Sequence, residues 1–192
     1  MIREIVNYGH PALRRQGKPI DAIDESVQSL VEDLFETMND AHGIGLAAPQ
    51  IAEEKQVCVI DVRPVEDRPS LLWIDGEPAE VASIMPLVLI NPQLEISGEP
   101  VSGPEGCLSF PEIYAEVRRP PKTKVRAQNL DGAPIEFECA GLLSRCVQHE
   151  HDHLHGILFI DRMTETERGK IRDEYQELQE RTQALMQRRS KS

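Results

Sequence analysis

Nine residues, Gln148 to Gly156, constrain this chain more than any others. The stretch QHEHDHLHG sets His149, His151, His153 and His155 on alternate positions. A strand would line all four along one face, whereas a helix lets only some of them meet. The flanks decide between the two. In GLLSRCVQHEHDHLHGILFID, Leu142, Cys146, His149 and His153 form one stripe at helical spacing, and Leu143, Val147 and Leu154 form its neighbour. Gly141 precedes the pattern, and Gly156 follows it where a helix C′ residue belongs. The run LLSRCVQ does not alternate, so the spacing predicts a helix.

Successive helical residues turn by about 100°, which leaves His149 and His153 about 40° apart and one turn from each other. His151 and His155 point to the other side and are expected to be exposed, with no required role. The stretch thereby becomes H-E-x-x-H, with His149, Glu150 and His153 in the fixed places. Two imidazoles at i, i+4 can grip one divalent metal, and the glutamate can then work on a water at that metal. The bland alternative is a polar helix face that happens to be rich in histidine.

A hydrolytic metal site usually has a third protein ligand, and three candidates compete. The longer pattern HExxHxxGxxH is followed as far as Gly156, but Phe159 stands where its last histidine belongs. Glu174 or Glu177, further on, could supply a carboxylate, although nothing marks them above their acidic neighbours. Cys107 lies in GPEGCLSFPE, between glycines and prolines that shape its backbone tightly. Cys58, Cys139 and Cys146 sit in strand or helix-face patterns and read as small buried hydrophobes.

The remaining chain supplies a frame. At 192 residues it suits one domain with a sizeable core. Its net charge of −12 argues against a general DNA-binding or membrane-binding role, which would show a basic face. No CxxC pair and no apolar run of membrane-spanning length occurs, so reduced thiols in a cytosol are the expectation. Residues 24–41 place Val27, Leu30, Val31, Leu34, Phe35 and Met38 on one helical stripe, with Asp24 as the N-cap. GIGLAAPQ, Gly43 to Gln50, reads as a tight buried loop. QVCVID and PLVLIN read as buried strands, and the proline- and acid-rich 62–85 between them reads as a surface excursion. Two more strands should flank a turn at Asp131–Gly132. From Thr164 a capping box opens one polar helix with a thin stripe at Ile171, Tyr175, Leu178 and Leu185. The expected fold class is α+β: antiparallel or mixed β-sheets around a central HExxH-bearing helix, with an N-terminal and a C-terminal helix. Residues 1–187 are expected to form the single domain, with 188–192 as a basic, flexible tail.

In order and spacing, GIGLAAPQ, EGCLS and QHEHDHLHG resemble the three signature motifs of peptide deformylases. The resemblance spans most of the chain and omits 62–85 and the end beyond about Leu178. It implies hydrolysis of the N-formyl group from formylmethionine on newly made polypeptides, releasing formate. It further implies that Cys107, His149 and His153 ligate one divalent ion, Fe2+ in first place, with Zn2+, Ni2+ or Co2+ able to substitute; the ligand types alone would suggest zinc. By the same resemblance Glu150 moves protons, and the Gln50 side chain and the Leu108 backbone N–H donate to the oxyanion. Ile44, Leu142, Cys146 and the ring of His149 would help line the methionine pocket, and Gly45 would offer backbone hydrogen bonds to an extended substrate. Glu105 and Arg119 resemble a pair that steadies the Cys107 loop, against the alternative of an ordinary surface salt bridge. Two departures stand out: Ile51–Ala52 replaces the family's usual Val-Gly, and Tyr114 replaces a frequent arginine.

Two other functions compete, a metal-dependent endopeptidase on the same helix and a catalytically dead scaffold. The basic end, with Arg188, Arg189 and Lys191, suggests a ribosome contact, or merely a solvated helix terminus.

Overall fold

The computed structural model describes residues 1–190. Among them the first long element is helix α1, Glu25–Asp40, capped by the Asp24 carboxylate, which accepts from the N–H groups of Ser26 and Val27. Its apolar stripe is buried as the spacing requires, through Val27, Leu30, Val31, Leu34 and Met38.

The strands that follow are β1 (Gly45–Ala47), β2 (Val57–Ile60), β3 (Ser70–Ile74), β4 (Glu77–Ala79), β5 (Leu87–Ser97), β6 (Val101–Cys107), β7 (Phe110–Arg119), β8 (Lys122–Gln128) and β9 (Pro134–Gly141). Seven of those strands form one sheet in the order β1-β2-β5-β8-β9-β3-β4, while β6 and β7 form a separate hairpin. The strand pairs are antiparallel. Helix α2, Leu142–Leu154, leaves the end of β9, and α3 (Glu165–Lys170) and α4 (Arg172–Arg189) close the described chain. No helix among the described residues is long and apolar enough to cross a membrane.

The continuous apolar run VCVI in β2 has a direct cause. Its side chains alternate between two cores. Val57 and Val59 pack with Leu30, Leu34 and Leu46 on the α1 side. Cys58 and Ile60 pack with Leu143, Val147 and Phe137 on the α2 side. Such burial on both faces removes the polar alternation that a half-exposed strand would show. Each fully buried Leu or Val contributes roughly 1.5–3 kcal/mol relative to its exposed state. A third cluster joins the β6–β7 hairpin, through Phe110, Ile113 and Val117, to Leu158, Phe159, Ile171 and Leu178.

Four expectations change. GIGLAAPQ is not an irregular loop: Gly45–Ala47 is an edge strand on β2, and Ala48–Ile51 is a 3-10 turn. Region 62–85 is more than a surface excursion, because Ser70–Trp73 pairs with β9 and buries Leu72. Alternation along the strand sends Leu72 into the α2-side core and leaves Leu71 53% exposed. The single helix from Thr164 breaks at Ile171, where φ is −111° and ψ is 11°, outside the helical region. Ile171 and Leu178 go into the third core cluster, while Leu185 stays 50% exposed. Finally, α4 continues through Arg188 and Arg189, and the Arg189 guanidinium pairs with Glu4. Lys191 and Ser192 lie outside the described residues.

Candidate metal centre and active-site cleft

Helix α2 begins where only glycine fits. Gly141 has φ +71°, and a Cβ there would stand 2.2 Å from the Pro69 carbonyl oxygen. That junction fixes the phase of α2, so Leu143 and Val147 face the sheet and His149 and His153 face the end of β6. The ladder of β6 and β7 slips between Gly106 and Cys107, which takes Cys107 out of regular pairing. The N-terminal segment ties the two approaching loops together. Val6 N–H donates to the Gln50 carbonyl at 2.8 Å, and Tyr8 N–H donates to the Ser109 carbonyl at 2.9 Å.

Three electron-pair donors converge at this junction. The Nε2 atoms of His149 and His153 are 3.2 Å apart, and Cys107 Sγ lies 3.3 Å from His153 Nε2. All three ligand atoms fall within 4.8 Å of one another. A tetrahedral cation at the usual nitrogen and sulfur distances would set N···N near ~3.3 Å and N···S near ~3.6 Å. The trio therefore fits one metal ion. A second observation agrees: His149 Nδ1 lies 3.0 Å from the Glu105 carboxylate. Donating there keeps the proton on Nδ1 and turns the Nε2 lone pair toward the cluster. Burial opposes charge on His149, but hydrogen bonds with Cys107 and Glu105 hold its pKa well above the ordinary imidazole value. Burial and the neighbouring His149 push His153 well below it.

Glu105 is itself buried and heavily bonded. Arg119 donates Nε and Nη2 to its two oxygens at 2.6 and 3.0 Å, and Arg145 Nη1 donates at 2.8 Å. Burial opposes ionisation of Glu105, yet the bonds from His149 and Arg119 hold its carboxyl well below the usual range. Arg119 also donates to Asp152, which accepts from Arg162 as well. The Glu105–Arg119 pair is thus a buried brace of the site and not a surface salt bridge. Asp152 and Arg162 join this support, and Ser109 abuts Gln50, without having been picked out in the sequence. An acid between two histidines was the available hint for Asp152; its arginine partners are too far along the chain to be read locally.

A cavity of about 490 Å³ opens beside the trio. Its walls include Ile44, Gly45, Gln50, Cys107, Leu108, Leu142, Cys146, His149 and Glu150; His153 lies behind them, 1% exposed. Burial raises Glu150 to about 7, and its Oε2 is buried with no hydrogen-bond partner among the described residues. A carboxyl so poised can both accept and return a proton near neutral pH. Gly45 passes so close that an added Cβ would lie 2.3 Å from Glu150 Oε1. Gln50 is 1% exposed, and its Oε1 accepts from Ala47 N–H at 2.9 Å. That bond orients the amide and directs Nε2 toward Ser109 Oγ at 3.3 Å and Cys107 Sγ at 3.6 Å. Cys146 and Cys58 are buried thiols whose pKa burial pushes well up, which leaves them apolar wall and core. His151 and His155 are half-buried, not exposed as expected, with ring centroids 4.3 Å apart. Burial, with His155 alongside, lowers His151 to about 4.

The family model for polypeptide deformylase matches residues 2–169 of this chain. The chain belongs to the peptide deformylase family. Peptide deformylase from Opitutus terrae is 44% identical over 174 residues, covering 89% of this chain and 90% of the relative. The enzyme from Methylacidiphilum infernorum is 43% identical, covering 93% of each. Among solved structures, Arabidopsis thaliana peptide deformylase 1B bound to an inhibitor superposes with TM-score 0.80 at 39% identity, covering 95% of this chain and 93% of the other. Membership in the peptide deformylases makes the chain a hydrolase that removes N-formyl groups from polypeptides.

Proposed function

We propose that this deformylase acts on the formylmethionine that begins newly made polypeptides, with α2 as its central catalytic helix and one divalent ion held by Cys107, His149 and His153. The observation that carries the reading is the convergence of those three donors beside a buried glutamate oxygen that has no hydrogen-bond partner among the described residues. The ion assigned is Fe2+ on the strength of the family resemblance; Zn2+, Ni2+ or Co2+ fit the same donors.

When bound, the ion supplies a Lewis-acidic charge that makes water nucleophilic near neutral pH. The remaining work falls to the protein. Glu150 takes a proton from the attacking water as its oxygen bonds to the formyl carbon. Gln50 Nε2 and the Leu108 backbone N–H donate to the oxygen that gains negative charge. One such donor contributes about 2.7–4 kcal/mol in the transition state. The C–N bond then breaks, formate leaves, and Glu150 returns its proton to the departing amine nitrogen. Ile44, Leu142 and Cys146 provide an apolar wall for the methionine side chain, and Gly45 leaves room for substrate backbone beside β1. Arg119 and Glu105 hold His149 in the tautomer that can ligate.

Residues 1–187 serve this one site as a single domain in a bacterial-type cytoplasm, and the basic end of α4 is the candidate ribosome contact. Formate release from a formyl-Met peptide, run beside a casein assay and metal analysis, tests the assignment. Formate production with no casein cleavage, and a metal content near one ion per chain, is the expected result. Casein cleavage without formate release would overturn it.

A further inference from the structure

Two cations line the catalytic cavity, Arg145 and Arg68. Arg145 is fully engaged, with Glu105 and with the carbonyls of Val117 and Val101. Arg68 is half-buried and makes no hydrogen bond or ion pair with any described residue. An unpartnered, partly desolvated cation is unusual in a chain of net charge −12. Arg68 also lines a second cavity of about 860 Å³ formed by the segment from Val62 to Ala82, so it stands where the two spaces adjoin.

Its backbone is firmly tied to the site. The neighbouring Pro69 carbonyl accepts from Leu142 N–H at 3.0 Å, and Ser70 Oγ accepts from Leu143 N–H at 3.0 Å. Both donors begin the helix that carries His149 and Glu150. The chain next to Arg68 is therefore held at a set place relative to α2, and Arg68 lines the cavity. The acids sharing that cavity do not cancel it. Glu105 is neutralised by Arg119 and Arg145, Glu150 faces the trio, and Glu112 and His42 are exposed to solvent, where charge is well screened.

We propose that Arg68 is a specificity residue that receives a carboxylate on the peptide leaving the cavity, namely an Asp or Glu side chain within the first few residues after the formylated methionine. A guanidinium fork matches a carboxylate bidentately and prefers it to a neutral side chain. The inference rests on the deformylase reading, and the assay separates the two. Formate release is measured as kcat/KM for C-terminally amidated formyl-Met peptides carrying Ala, Asp or Lys at the second, third or fourth position. At one of these positions Asp should exceed Ala by about two- to fivefold, the range of a partly exposed ion pair, with Lys below Ala. High salt should shrink that ratio. Arg68→Ala should bring the Asp/Ala ratio to about one, Arg68→Glu should invert it, and Arg68→Lys should keep part of it. A merely structural role for Arg68 would change all three peptides together and leave the ratio unmoved. Comparing formyl-Met-Ala as free acid and as amide tests the other source of a carboxylate. A gain for the free acid alone, with no Asp effect, would place the anion at a peptide C-terminus and overturn the assignment to nascent chains. Equal rates for Asp and Ala peptides throughout would overturn the inference while leaving the deformylase reading intact. No formate from any formylated peptide would overturn both.

Discussion

Helices α1 and α2 lie against opposite faces of the same strand, β2, and bury very different things. Most of what α1 hides is apolar: Val27, Leu30, Val31, Leu34 and Met38. Beside Leu143 and Val147, α2 hides Ser144, Gln148, His149, Glu150, Asp152 and His153. Burying ionisable groups costs free energy unless they are paired or hold a metal. Most of the α2 set is paired: Gln148 donates to Pro120, Thr123 and Ser144, and Asp152 accepts from two arginines. The exceptions are Glu150 Oε2 and His153 Nδ1, buried without hydrogen-bond partners among the described residues. One helix is built for stability; the other carries polar groups whose cost is justified by chemistry.

The comparison can be broken hardest at Glu150. Replacing it with Gln should lower kcat by about 10²–10⁴-fold, the usual share of a general acid–base group, while metal content by elemental analysis stays near that of the parent. Retained turnover would remove Glu150 from proton transfer. The matching change on α1 is Leu34→Ala, at a side chain that is 0% exposed. It should destabilise the fold by about 2–5 kcal/mol in urea titration and leave kcat of the folded fraction nearly unchanged. A loss of kcat at full folding would show that α1 is not merely structural.

Metal binding should sharpen the contrast further, through pH. In the metal-free protein His149 has a pKa held above the ordinary value, so it carries a proton near neutrality that a metal must displace. Affinity should therefore fall as pH drops, about tenfold per unit for one displaced proton, in a competitive chelator titration. Proton release measured on loading should agree in sign. A pH-independent affinity would mean that His149 is already neutral or is not a ligand. The smallest effect belongs to the α1 cap. Asp24→Ala should lower the unfolding midpoint slightly, and Asp24→Asn, which keeps an accepting oxygen for Ser26 and Val27, should restore it.

Local pattern made much of this molecule legible. The stripe of α1, the buried runs of β2 and β5, the turn between β8 and β9 and the helical phase of His149 and His153 all follow from spacing within a few residues. Less legible were features whose cause lies elsewhere in the chain. Gly45–Ala47 becomes a strand because β2 is there to pair with it, and β3 joins the sheet because β9 offers an edge. The helix from Thr164 breaks at Ile171, which with Leu178 enters a core shared with Phe110 and Phe159, segments far away in the chain. His151 also meets the backbone of Pro92 on β5, a contact that its own spacing does not reveal. Arg145 and Asp152 look like ordinary charges until Glu105 and Arg119 arrive beside them.

By itself, the sequence determined which atoms could bind a cation and which helix face would present two of them, because helical periodicity acts over a single turn. It also determined the apolar faces that close the two cores. Only the tertiary structure decided that a sulfur from the end of β6 meets those imidazoles, that Gln50 aims its amide at the same point, and that Arg68 joins the wall of the same cavity with no ion pair among the described residues. Those are relations between segments far apart in the chain, and they exist only once hydrophobic burial and strand pairing have fixed where each segment lies.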